Sequence, residues 1–116
     1  MDLIHKYSRE LEKILNHSPF DLKNSLKKIC VLLQSNILHF DWVGFYFNND
    51  KKNYLSCNIN VKSEIVIPLF VDNKNIGQID VDSNSINPFT ESDVKFLEFV
   101  CEKLAMKIKT LKNEHG

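Results

Sequence analysis

Between Ser63 and Ser83 the chain alternates in two runs, and that alternation leaves few structures open to it. Ser63-Glu64-Ile65-Val66-Ile67-Pro68-Leu69-Phe70 is followed, after a short polar turn, by Ile76-Gly77-Gln78-Ile79-Asp80-Val81-Asp82-Ser83. Successive side chains of a strand point to opposite faces. Ile65, Ile67 and Leu69 therefore share one face of the first run, and Gly77, Ile79 and Val81 share one face of the second. Glu64, Asp80 and Asp82 fall on the other face. The two aspartates stand ~7 Å apart along one strand. A hairpin that keeps the apolar faces together gathers these acids on one patch of sheet.

Register decides whether they meet, because a slip of one residue reverses the faces. The turn is Val71-Asp72-Asn73-Lys74. The expected closure is a three-residue loop, a type I turn ending in a left-handed residue, with Asn73 taking that conformation at little cost. It pairs Phe70 with Lys74, and Glu64 with Asp80. A two-residue loop is expected to put Glu64 on the wrong face.

The chain has 116 residues, 43% of them hydrophobic, enough for one domain over residues 1–116 with a real core. Fifteen basic residues balance fifteen acidic ones. That balance is no footprint for nucleic acid or for an anionic membrane. Arg9 is the only arginine, which argues against bidentate phosphate clamps. No stretch has the length and apolarity of a membrane span, and the first residues lack a signal-peptide layout. The expectation is a cytoplasmic protein with reduced thiols. Cys30, Cys57 and Cys101 are too few and too scattered for a disulfide framework or a zinc site, and no cofactor or metal is expected. Asp80 and Asp82 are a minor candidate for a divalent cation, since hard metals take carboxylate oxygens.

Leu3, Ile4, Tyr7, Leu11, Ile14 and Leu15 recur at helical spacing, which predicts an amphipathic helix over residues 2–16. Ser18 is the expected N-cap of a second helix, with Pro19 at its first position. Its stripe is Leu22, Leu26, Ile29, Leu33 and Ile37. Residues 41–48 alternate as a strand, residues 54–59 form another, and the two runs above supply the third and fourth. His39 reads as a surface or strand-edge residue. A last helix begins at Thr90, where Thr90 and Asp93 approximate a capping box and Phe89 can staple onto Val94. Val94, Leu97, Cys101, Leu104, Ile108 and Leu111 mark its buried stripe. The fold class is α+β: an antiparallel sheet with N- and C-terminal helices packed on one face.

The helix-covered face takes Val43, Phe45, Phe47, Ile65, Ile67, Leu69, Ile79 and Val81. The opposite face takes Trp42, Tyr46, Glu64, Val66, Phe70, Gln78, Asp80 and Asp82. Large aromatics among clustered acids are the make-up of a small-molecule pocket, an apolar wall with a few placed polar groups. An ordinary solvent face with some exposed aromatics is the bland alternative. Ser63 and Ser83 edge the patch without a histidine base near them, which argues against a serine nucleophile.

Trp42-Val43-Gly44-Phe45-Tyr46, Ser63-Glu64-Ile65-Val66-Ile67-Pro68-Leu69, Ile79-Asp80-Val81-Asp82-Ser83 and the Pro88-Phe89 helix start together resemble one family, the GAF-type free methionine-(R)-sulfoxide reductases. The resemblance runs from about residue 40 to the C-terminus. It implies a GAF-like fold and reduction of the R epimer of free methionine sulfoxide. It also implies that Glu64, Asp80 and Asp82 hold the substrate's amino group and sulfoxide, while Trp42 and Tyr46 wall its methyl end. Crowded acids favour sharing of a proton, and a protonated acid beside the sulfoxide oxygen can let that oxygen leave.

The family attacks sulfur with a thiolate, leaving a sulfenic acid that a second thiol converts to a disulfide. Counted back from Glu64 without a gap, Cys57 falls where the family's attacking cysteine stands. The family's longer segment at this point, with further cysteines and a loop over the pocket, is reduced here to Phe47–Ser56. Cys57 also alternates with Leu55 and Ile59, as a buried strand residue would. Cys30 and Cys101 lie on or beside apolar helix stripes and read as core, so the resolving thiol would be external, thioredoxin or another thiol reductant. Three readings follow. The chain is a minimal reductase; or a shortened GAF domain that holds a small amine-bearing metabolite without chemistry; or a dimerisation module, a homodimer paired through its outer helices.

Overall fold

The computed structural model describes residues 2–48 and 61–115. The strand expected over residues 54–59, and Cys57 with it, lie outside the described residues. Within them the order is α1 (Leu3–Leu15), α2 (Leu22–Asn36), β1 (Trp42–Phe47), β2 (Ser63–Val71), β3 (Lys74–Ser83) and α3 (Glu91–His115).

Helices α1 and α2 each begin on an aspartate that accepts from a backbone N–H left over at the first turn. Asp2 accepts from the His5 N–H at 2.8 Å. Helix α2 starts at Asp21, whose carboxylate accepts from the Lys23 N–H at 3.1 Å, and not at Ser18 as expected. Residues 18–20 instead form a bend that seats Phe20 against the core, with Lys107 Nζ 4.9 Å from the ring centre. The capping box of α3 is present. The Thr90 N–H donates to Asp93 Oδ2 at 2.8 Å, and the Asp93 N–H donates to Thr90 Oγ1 at 3.2 Å. His39 is not a strand-edge residue: its Nε2 lies 2.6 Å from the same Asp93 oxygen. The imidazole packs in a triangle with the rings of Phe40 and Phe89, at 5.2 and 5.8 Å. A histidine just before β1 thus ties the sheet's entry to the start of α3.

The sheet is antiparallel with β3 in the middle, in the order β1-β3-β2. The hairpin closes through two residues, not three. Asp72 and Asn73 have φ of 51° and 66°, and Val71 pairs with Lys74. Positive φ at both central residues is the type I′ turn, whose twist suits the strands it joins. Taken alone, that turn would reverse the faces. A bulge corrects it: Phe70 pairs with Asn75 but Leu69 with Gly77, so Ile76 is an extra residue in β3. From there Glu64 pairs with Asp82, and Val66, not Glu64, stands opposite Asp80. The acids still share a face, one row removed from the expected pairing.

The other face is the core. Helix α3 lies along β2, α2 packs against β1, and α1 touches both helices. Leu69, Ile79 and Val81 of the sheet meet Ile29, Leu33, Phe96, Leu97, Val100 and Leu104 of the helices, all essentially without solvent contact. Each such side chain contributes roughly 1.5–3 kcal/mol by leaving water. Among the described residues, no helix is long and apolar enough to cross a membrane.

Candidate functional site

The three strands set the open face in rows, because residues paired across antiparallel strands share a face. The first row is Trp42, Asp82 and Glu64, the second Gly44, Asp80 and Val66, and the third Tyr46, Gln78 and Pro68. The five sequence-predicted positions within the described residues therefore come together: Trp42, Tyr46, Glu64, Asp80 and Asp82. The two aspartates, on the central strand, are buried, at 9% and 7% exposure, although no helix among the described residues packs on this face. Glu64 on the edge strand is exposed, and Trp42 and Tyr46 are half-buried. The two rings stand 6.4 Å apart, tilted at 47°, with the indole reaching across Gly44.

Electrostatics separate the acids. Asp80 has a partner, since Gln78 Nε2 donates to its Oδ1 at 2.8 Å. Its pKa is still raised, by burial first and then by the charge on Glu64, with the Gln78 bond opposing. Asp82 is pushed up to about 6, by burial first, then by a hydrogen bond with Glu64 that favours its protonated form, then by the charges of Glu64 and Asp80. Its Oδ1 is buried and has no hydrogen-bond partner among the described residues. A buried carboxylate oxygen left unsatisfied is costly. Chemically, the face offers an acid ready to hold or give a proton near neutral pH, an adjacent carboxylate, and an aromatic wall.

Ser63 and Ser83 pair with each other one residue beyond Glu64 and Asp82, on the helix side of the sheet, and are structural. Ser83 is fully buried, and its Oγ donates to Asp41 Oδ2 at 3.1 Å, an oxygen that also accepts from the Asn84 N–H at 2.9 Å. Ser63 Oγ donates to the Ser85 carbonyl at 2.8 Å and accepts from the Asn87 N–H at 3.0 Å. Together they hold the loop after β3. Gln78 and Gly44 were not singled out from the sequence. Alternation places Gln78 on the acid face, but its bond to Asp80 two residues along the same strand has no sequence signature. The Cys30 and Cys101 thiols lie in the helical layer, where burial pushes them up to about 11 and about 12. Neither is a thiolate at neutral pH. Among the described residues, no group of three His, Cys, Asp or Glu is placed to hold a metal ion.

The GAF domain model matches residues 30–108, and the chain belongs to that family. Its architecture is that of free methionine-R-sulfoxide reductases. The enzyme from Neisseria meningitidis, solved in complex with its substrate, superposes with a TM-score of 0.78 over 97% of this chain and 92% of that one, at 19% identity. The reduced form from Staphylococcus aureus gives a TM-score of 0.73 over 92% of this chain and 96% of that one, at 20% identity. At these identities the likeness is one of fold. Two curated proteins are each 41% identical over 51 residues, 44% of this chain: GAF domain-containing protein A of Dictyostelium discoideum and Protein YtsP of Bacillus subtilis. The matched stretch spans 32% and 31% of their respective lengths.

Proposed function

We propose that this GAF domain binds free methionine-(R)-sulfoxide on the open face of its sheet and reduces it to methionine with the Cys57 thiolate. The observation that carries the reading is the buried, orphaned oxygen of Asp82, set in a row between Trp42 and Glu64. A free amino acid brings an ammonium group, which pairs with a carboxylate cluster, and a short apolar tail, which suits the wall of Trp42 and Tyr46. Asp80, hydrogen-bonded by Gln78, is the partner for the ammonium. Asp82, sharing a proton with Glu64, is the acid for the sulfoxide oxygen. The thiolate sulfur attacks the sulfoxide sulfur while the oxygen takes up a proton. Oxygen passes to the cysteine, giving methionine and a sulfenic acid. A second thiol condenses with the sulfenic acid, releasing water and forming a disulfide. Because Cys30 and Cys101 are held protonated in the helical layer, that thiol comes from outside the domain, from thioredoxin or a similar reductant in the cytoplasm.

The test is turnover of free methionine-(R)-sulfoxide with dithiothreitol or thioredoxin as reductant. Activity in the wild type, lost in Cys57→Ser and reduced about 10²–10⁴-fold in Asp82→Asn, is expected if an acid of that row gives the proton. Absence of turnover in the wild type, or full turnover in Cys57→Ser, removes the reductase. A second reading draws on the placement of both described thiols under the helices: a domain that holds a small amine-bearing metabolite without chemistry, or pairs with a second copy through its outer helices. Methionine binding without turnover separates it from the first.

A further inference from the structure

Gly44 is the one position on the open face of β1 that carries no side chain, and it stands opposite Asp80. Glycine in a strand interior is unfavourable, because it adds chain entropy and packs nothing. Its usual excuse is a positive φ, but neither of the two described glycines has one. The reason is space. A Cβ built on Gly44 would lie 2.2 Å from Trp42 Cη2, 2.6 Å from Cζ2 and 3.0 Å from Cζ3. These atoms are one edge of the indole's six-membered ring, and the ring therefore rests on bare backbone. Carbons in contact sit about 3.5–4.0 Å apart, so any side chain at position 44 displaces the ring. Displacement matters beyond packing. The indole spans the gap between the Asp82 row and the Tyr46 row, and it comes within 6.4 Å of the Tyr46 ring.

We infer that Gly44 is a positioning residue for the ligand site: its missing side chain lets the Trp42 indole lie against the sheet in the row of Asp80, and the resting place of that ring sets the aromatic wall. The ligand part of this inference rests on the function proposed above, in which the wall holds the apolar tail of an amino acid. The positional part does not. Gly77 shows the contrast. A Cβ there would meet the Tyr46 backbone carbonyl oxygen at 2.2 Å, nearer than any side-chain atom, so that glycine first serves strand approach.

Trp42 is the only tryptophan in the chain, so its fluorescence reports the ring directly. Gly44→Ala is expected to shift the emission maximum to longer wavelength as the indole lifts into water, and to lower the melting temperature. In a Trp42→Ala background the same substitution meets no ring. The double variant should then melt no lower than Trp42→Ala alone. Unchanged emission in Gly44→Ala, or an equal loss of melting temperature in both backgrounds, overturns the inference. If Gly44→Ala does not fold, folding of the double variant supports the inference and its failure to fold overturns it. Calorimetry with free methionine supplies the ligand arm. At least tenfold weaker binding in Gly44→Ala is expected, and equal affinity overturns the ligand part. If wild type binds no methionine, the proposed ligand fails, while the emission and melting results still decide the role of Gly44.

Discussion

Asp82 is the side chain in which structure and chemistry are most at odds. It is 7% exposed, one of its oxygens has no partner among the described residues, and its acid dissociation is pushed up to about 6. The folded state therefore holds this proton more tightly than the unfolded chain, whose value is near 3.8. The sign follows from linkage: the folded protein is favoured while Asp82 is protonated, and loses that advantage as pH rises from 3.8 through about 6. A shift of this size corresponds to at most about 3 kcal/mol. Asp82→Asn should thus melt above wild type at pH 7, and the gap should close as pH falls below 4. Thermal melts of both proteins between pH 3.5 and 8 check this, and a gap independent of pH would contradict it. Stability given up at one buried acid is a familiar companion of function.

At the scale of elements, the hairpin between β2 and β3 shows what could be read in advance and what could not. Apolar alternation was enough to place Ile65, Ile67, Leu69, Ile79 and Val81 under the helices, and the acids on the open side. The closure was not legible, because two solutions satisfy the same faces. A three-residue loop does so directly. The chain instead uses the Asp72-Asn73 turn, with positive φ at both residues, and one extra residue at Ile76. Neither residue is glycine, so local sequence did not announce a type I′ turn. The start of α2 was missed for a related reason. Ser18-Pro19 is a good helix opening locally, but seating Phe20 on the core takes precedence, as tertiary packing often overrides propensity. The left-handed pair yields a prediction. Asn73→Val should destabilise the protein by about 1–2 kcal/mol, since a β-branched residue resists that conformation, whereas Asn73→Gly should not destabilise it. Urea unfolding checks both. Equal stability of the valine variant would mean that the turn can relax without loss.

Across the whole molecule, the helices occupy one face of a three-stranded sheet among the described residues, and the other face is left to Trp42, Tyr46 and the acids. Much of the core was legible because its stripes repeat at helical or strand period, although the fully buried Phe96 and Val100 of α3 lay outside the expected stripe. The chemistry was legible only as composition, three acids and two rings on one side. Pairing Glu64 with Asp82, the bond from Gln78 to Asp80 and the seat of Trp42 on Gly44 all depend on register, which only three-dimensional structure supplies. On the function proposed above, that arrangement is what would hold an ammonium-bearing small molecule. Calorimetric titration with free methionine, in wild type and in Asp80→Asn, tests this most directly. Binding in wild type that weakens at least tenfold in Asp80→Asn, with the fold intact by circular dichroism, is the expected result. Equal affinity in the two proteins, or no heat of binding in wild type, would contradict it.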